Sequence, residues 1–336
     1  MPAASPRPRT MSIGGATYDL FVRADRSRMR ESKDGTMLEL PIGAKLRVHE
    51  VIQTCGGGAS NTAVGLQRLG CDASFSGIVG TDQWGQALLK NLEKEGVDTK
   101  SATVVEGETS SSSIILSVSS GERIILYDPG TNEHLHDVTF DREALADRDW
   151  IYLNHLMEDS CVIQDDVVDM LNATESHQGL TWNPGGCQLE LGIDAPNNRR
   201  LLSHTSLLLL NKEEALDFSK AASIDQAIQT LLSLGTKIVC ITDGGNGATA
   251  ADAHGTYHCP VLKEVPVVDT TGAGDAFGVG MTWALATGLD LPTALTAGTI
   301  NATSVVGALG AQAGLLTDTE MKNRLQTTRV DIRIVR

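Results

Sequence analysis

The chain has 336 residues, 41% of them apolar, enough to bury a large core in one big α/β domain with an appendage or in two domains. Its 42 acidic and 27 basic residues give a formal net charge of −15 and a pI near 4.9, which opposes nonspecific attraction to phosphate backbones and argues against nucleic acid as a partner. Six cysteines at 55, 71, 161, 187, 240 and 259 show no C-x-x-C spacing, so neither a zinc site nor a disulfide framework is expected, and a reducing compartment fits.

In chain order, MPAASPRPRT is rich in Pro and Arg and lacks the apolar run of a signal peptide. Residues 1–10 are expected to be a disordered leader to a domain spanning 11–330. IGGATYDLFV (13–22) predicts a strand ending in a turn, with Asp19 exposed just beyond it. CGGGASNTAVGLQRLG (55–70) predicts a Gly turn opening a helix whose apolar face carries Ala63, Val64, Leu66 and Leu69. Asp19 and Asn61 then fall where open α/β sheets bind ligands, although Asp, Asn and Gly also favour turns in their own right.

From about residue 73 the chain alternates strand candidates, at 73–79, 149–153, 179–183, 206–210, 237–242 and 265–269, with helical segments. Trp84–Glu95 is one such helix, with Leu88, Leu89 and Leu92 on one face and Gly96 as its stop. That order implies a mostly parallel sheet covered by helices, an α/β fold. Two β-rich segments, 36–54 and 109–128, break the rhythm, the second as a hairpin turning at 119–122. They are expected to form a small lid; the alternative is that they extend the edge of the main sheet. No stretch approaches the roughly 18 apolar residues of a membrane span, so no membrane partner is expected and a cytoplasmic location is.

VPVVDTTGAGDAFGVGMTWALATG (265–288) is the most informative stretch. It predicts a strand ending at Asp269, a Gly turn and an apolar helix stopped at Gly288. The N–H groups of Gly272, Ala273 and Gly274 would lie at the positive end of the helix dipole, a ready anion hole. Asp275 would sit beside it, placed to take a proton from an attacking hydroxyl; alternatively it only caps the helix. Other phosphate-binding schemes fail: no Gly-Lys dipeptide exists for a P-loop, and Phe277 holds the last position of a would-be G-x-G-x-x-G. H-E-x-x-H and G-x-S-x-G are also absent.

Together these segments resemble the ribokinase-like, PfkB-type carbohydrate kinase family. Its early signature matches Gly56 through Asn61 and on to Leu69-Gly70, its late signature matches Asp269 through Phe277 without a gap, and VGTDQWGQALLKNLEKEGVDT (79–99) is usual in these kinases. The resemblance extends from about residue 12 to about 320. It implies an αβα sandwich with a small β lid, ATP and magnesium as cofactors, potassium as an activator, and a homodimer through the lid. It also implies Asp275 as catalytic base and Gly272 to Gly274 as the anion hole. Asn211 and Glu214 match an N-x-x-E pattern that organises magnesium through water, though they could equally be a capped helix start. Thr242, Gly244 and Gly247 resemble a nucleotide-binding T-x-G-x-x-G, and Asn301 with the GAQAG loop at 310–314 an adenine-side wall. Asp269 and Thr271 resemble a monovalent-cation site. Asp19, Gly57 and Asn61, with Thr17 and Asn154, resemble residues that hold substrate hydroxyls.

The chain departs from ribokinases proper at Gly58, Ser60 and Thr17, which points away from ribose. None of the implied substrate positions is Lys or Arg, so an unphosphorylated sugar or a nucleoside is the expected acceptor. A catalytically silent ligand-binding regulator and a dinucleotide-dependent oxidoreductase are the rival classes.

Overall fold

The computed structural model describes residues 7–24, 30–32, 37–117, 123–137, 142–173 and 178–335. Six short strands, Asp72–Ser76, Arg9–Ile13, Trp150–Leu153, Gly179–Trp182, Leu207–Asn211 and Ile238–Thr242, lie side by side in that order, all parallel. Ala248–Ala251, Thr256–Cys259 and Arg333–Ile334 extend the sheet antiparallel to nine strands.

Burial on both faces explains the apolar runs of Trp150–Leu153, Leu207–Leu210 and Ile238–Ile241. In Leu207–Leu210 the side chains alternate between two cores. Leu208 and Leu210 join Phe218, Ile228 and Leu231 on one face, while Leu207 and Leu209 join Phe277, Val279 and Met281 on the other. Helices Ile163–Ala173, Pro196–His204, Lys212–Ser219 and Ile224–Ser233 cover the first face. The apolar pair Ala273–Ala286 and Leu291–Val306, with Gly58–Arg68, covers the second. This is the αβα sandwich of the sequence reading.

A separate sheet of four strands, in the order Arg123–Asp128, Ser112–Ser117, Thr17–Ala24, Val48–Gly56, takes the end of the first β-rich segment and both arms of the second. The expected turn at 119–122 lies outside the described residues, as does the start of the leader, 1–6. Five expectations need correction. Segment 13–22 is not one strand: Ile13 ends a strand of the large sheet, Gly14 turns the chain at φ 138°, and Thr17 starts a strand of the small one. Asp19 therefore lies inside a strand and is 6% exposed, not exposed beyond its end. Arg9 and Thr10, read as leader, already belong to the first strand.

Residues 265–269 form no strand, despite their β-branched content. They have no neighbouring strand, Val267 and Val268 stay exposed, and the Val268 amide donates to the carbonyl of Val306 instead. The cysteine reading is also corrected, because Cys161 and Cys187 form a disulfide. Gly185 and Gly186 turn the chain so that Gly186 bridges to Leu156, which brings Cys187 back onto the turn at Glu158–Val162. Spacing along the sequence carries no trace of that approach.

Candidate active site

Helix Ala273–Ala286 opens behind Gly272, whose φ of 74° only glycine adopts readily and where a Cβ would stand 2.4 Å from that of Ala311. Asp275 lies in the first turn and Gly274 beside it faces open space, with nothing within 4 Å of a would-be Cβ. Asp275, Gly272 and Gly274 share the wall of a cavity of about 260 Å³ with Asn211, Glu214 and Thr242. Ala273, expected to offer its amide there, is off that wall, and its N–H donates to the Thr270 carbonyl at 3.3 Å.

Asn211 and Thr242 are register partners at the carboxyl ends of neighbouring parallel strands, the edge where open α/β sheets take ligands. Asn211 and Glu214 also form a full capping box: Asn211 Oδ1 accepts from the Glu214 amide and Glu214 Oε2 from the Asn211 amide. The two readings of this pair thus coexist, as helix cap and cavity wall. Gly244 (φ 48°) and Gly247 (φ 93°) shape the turn after Thr242 but do not reach the cavity. Burial pushes the Asp275 carboxyl above its ordinary 3.8, while the Asn61 hydrogen bond and nearby His155 pull it back.

A second cavity of about 260 Å³ lies beside the small sheet, lined by Thr17, Gly57, Asn132, Asn154 and His155. His155 belongs to both walls. Gly57 has φ 89°, and a Cβ there would fall 2.6 Å from Ala16 Cα, so the turn approaches as only glycine allows. Asn154 spends its N–H₂ on Ile13, Thr62 and Tyr152, but its Oδ1 has no partner. Asn132 Oδ1 is likewise buried and unpartnered. An acceptor left so costs about 1–3 kcal/mol unless a ligand donor meets it.

Asp19 is not on either wall. Its Oδ1 accepts from the Ser113 hydroxyl and its Oδ2 rests against Gly56. Burial lifts this carboxyl from 3.8 to about 6, helped by Asp269 and opposed by Ser113. Asn61 is also spent within the protein: its Nδ2 donates to Asp275 Oδ2 at 2.8 Å and its Oδ1 accepts from Gln312. Asn301 is fully buried, donating to the Ala276 carbonyl and accepting from the Leu316 amide. These bonds pin the Asp275 helix.

The family model of pfkB family carbohydrate kinases matches residues 16–318. The chain belongs to that family. A sugar kinase of Archaeoglobus fulgidus, itself uncharacterized, is 30% identical to this pfkB kinase over 258 residues, 75% of this chain and 98% of that protein. Bacillus subtilis ribokinase is 28% identical over 318 residues, 93% of this chain and 98% of its own. The solved structure of Arabidopsis thaliana ribokinase, complexed with ribose and ATP, has a TM-score of 0.79 at 20% identity, covering 96% of this chain and 100% of that one. The fold is therefore ribokinase-like and the enzyme class is that of an ATP-dependent carbohydrate kinase.

Among the described residues of this pfkB kinase, no three His, Cys, Asp or Glu side chains gather as a metal cage. Asn211 and Glu214 on the first cavity's wall are a sparse donor set, which suits magnesium held mainly by phosphates and water. Potassium finds no added support. Asp269 Oδ1 accepts from the Thr271 amide and hydroxyl and Oδ2 from the Gly310 amide, so Asp269 and Thr271 tie the turn to the 309–314 segment. No helix among the described residues is long and apolar enough to cross a membrane.

Three residues of the site escaped the sequence reading. His155 directly follows Asn154 just past the strand Trp150–Leu153, so the strand-end rule would have flagged it. Asn132 follows a Pro-Gly turn after the hairpin, and Gln312 sits within the GAQAG loop; neither carries a local signal of what it touches.

Proposed function

We propose that this kinase passes the terminal phosphoryl group of ATP to a hydroxyl of an unphosphorylated sugar or sugar-like molecule, with Asp275 as general base. One observation carries the reading: a carboxylate at a helix start lies on one cavity's wall, and His155 joins that cavity to a second lined by Asn132 and Asn154, whose side-chain oxygens are buried and unpartnered. Asn132 and Asn154 accept hydrogen bonds from neighbouring substrate hydroxyls, which meets their unspent capacity. Neither wall carries a Lys or Arg among the described residues, so nothing there holds a second phosphate.

Asp275 takes the proton of the attacking hydroxyl, and the helix start at Gly272 and Gly274 holds the charge on the phosphoryl oxygens. Asn211 and Glu214 would hold magnesium, which when bound would supply charge neutralisation at the outer phosphates. Thr242 and the Gly244–Gly247 turn flank the nucleotide. Asp19 fixes the small sheet over Gly56 and Gly57, next to the acceptor. That sheet acts as the lid and excludes water, so hydrolysis of ATP does not compete. Its exposed Val48, Val51, Ile125 and Leu126 suit a second copy of the chain, giving a homodimer. The enzyme works in the cytoplasm, where ATP is at hand, although a disulfide such as Cys161–Cys187 is more usual in oxidising compartments.

The test is an acceptor screen with ATP and magnesium, with and without potassium: ribose, fructose, 2-keto-3-deoxygluconate, adenosine, inosine and cytidine, each beside its phosphorylated form. The reading expects ADP and a new phosphate ester with a free sugar. Turnover with nucleosides alone would replace the sugar by a nucleoside, and turnover only with phosphorylated acceptors would overturn the acceptor class. No acceptor-dependent ADP release at all would leave a ligand-binding regulator.

A further inference from the structure

Asp275 stands at one end of a chain of three side-chain amides that leads away from the cavity. Asn61 Nδ2 donates to Asp275 Oδ2 at 2.8 Å, Gln312 Nε2 donates to Asn61 Oδ1 at 3.1 Å, and Asn91 Nδ2 donates to Gln312 Oε1 at 2.9 Å. These residues come from the helices Gly58–Arg68 and Gln83–Lys94, the start of Ala273–Ala286 and the loop at 310–314. Asn61 is 3% and Gln312 9% exposed. Arg68, paired with Glu95, donates to the Gln312 carbonyl at 2.7 Å and holds that backbone in place.

An ionised carboxylate only accepts hydrogen bonds, so the direction of every link follows from Asp275. Asn61 must turn its N–H₂ toward the carboxylate, which aims its oxygen at Gln312. Gln312 must then donate, which aims its own oxygen at Asn91. Reversing Asn61 or Gln312 sets oxygen against oxygen in a buried place, where unpaired polar atoms are costly, and reversing Gln312 also withdraws the donor its Nε2 gives to Ser60 Oγ at 3.1 Å.

We propose that Gln312 is a positioning residue for phosphoryl transfer: by donating to Asn61 it locks the Asn61 amide with its N–H₂ on Asp275, which keeps the base ionised and aimed. The inference rests on the reading of Asp275 as base. Among the described residues, the other polar or titratable groups near Asp275 are His155, buried Tyr152, and Asn183, Asn211, Glu214 and Thr242 on the same cavity wall; Asn61 donates to it directly.

The test compares Gln312→Glu with Gln312→Met. The first keeps the oxygen that Asn91 needs but turns the donor into an acceptor, so Asn61 reverses and presents its oxygen to Asp275. The second removes the donor and opposes nothing. Gln312→Glu is expected to lower kcat about 10- to 100-fold, part of what general base catalysis contributes. KM for ATP stays within about twofold, and the acid limb of the kcat–pH profile moves up by about one unit, because the charged base loses its donor. Gln312→Met shows the same changes to a smaller extent. A folded Gln312→Glu protein with wild-type kcat and acid limb would overturn the proposal. If that variant does not fold, Gln312→Met decides alone: lower kcat with a raised limb supports the lock, and a wild-type profile removes it. Asp275→Asn separates the two ideas. If it is inactive while Gln312→Glu is normal, only the lock fails; if it retains full kcat, the base assignment itself fails.

Discussion

Asn61 and Asp275, 214 positions apart in the chain, are joined by a hydrogen bond of 2.8 Å. The bond exists because the helices Gly58–Arg68 and Ala273–Ala286 pack almost backbone to side chain at Gly65, where a Cβ would meet both Val279 methyls at 2.8 Å. A small residue in one helix thus sets the reach of an amide one turn earlier to the carboxylate in the other.

Gly65→Leu should force these helices apart. It is expected to cost about 1–3 kcal/mol of stability through overpacking and to lower kcat beyond what the remaining folded fraction explains. Gly65→Ala with Val279→Ala restores the fit and should recover both. Thermal melts and kcat on wild type, Gly65→Leu and the double variant check this, and a Gly65→Leu enzyme with full kcat would refute it.

Asp19 predicts a pH signature in stability. Its carboxyl titrates near 3.8 in the unfolded chain and at about 6 in the fold. Between those values the folded state holds the extra proton, so this group's contribution falls as pH rises through the window and is fully lost above about pH 6. Asp19→Asn removes the cost of ionising there. It should stabilise the protein at pH 7 by up to about 3 kcal/mol and change little near pH 4, as denaturant melts at both pH values would show. An equal effect at both would contradict the assignment.

The two glycines flanking Ala273 should fail in opposite ways. Gly272→Ala meets a positive φ and the Cβ of Ala311 and should cost about 2 kcal/mol of stability. Gly274→Ala meets nothing within 4 Å and sits in a helix, so the protein should melt near the wild-type temperature. Its new methyl stands where phosphate approaches, and kcat should fall about tenfold. A kinase in which Gly274→Ala is fully active would not use this helix start as proposed.

Most of the parallel strands were legible because burial on both faces makes them largely apolar, as in Leu207–Leu210, whereas Arg9–Ile13 (RTMSI) carries no such run and its start reads as leader. The antiparallel strands ATAA (248–251) and TYHC (256–259) carry no such run and left no trace, while the β-branched residues of Val265–Val268 suggested a strand where no neighbour exists to pair with it. In the site, Asp275, Gly272, Gly274, Asn211, Glu214, Thr242, Thr17, Gly57 and Asn154 line the cavities, because strand ends and Gly turns are written locally. What sequence does not show is which atoms are already spent. Asn61 and Asn301 have the residue type of ligand holders, yet tertiary partners take their amides. His155, Asn132 and Gln312 act through approaches between distant segments, and no local pattern encodes those.

The most direct measurement is kcat of Asp275→Asn with ATP and the best acceptor found in the screen, alongside ATP affinity. The substitution keeps an oxygen for Asn61 and removes the base. The account predicts a loss of about 10²–10⁴ in kcat with ATP affinity within about twofold of wild type; kcat above a tenth of the wild-type value would contradict it.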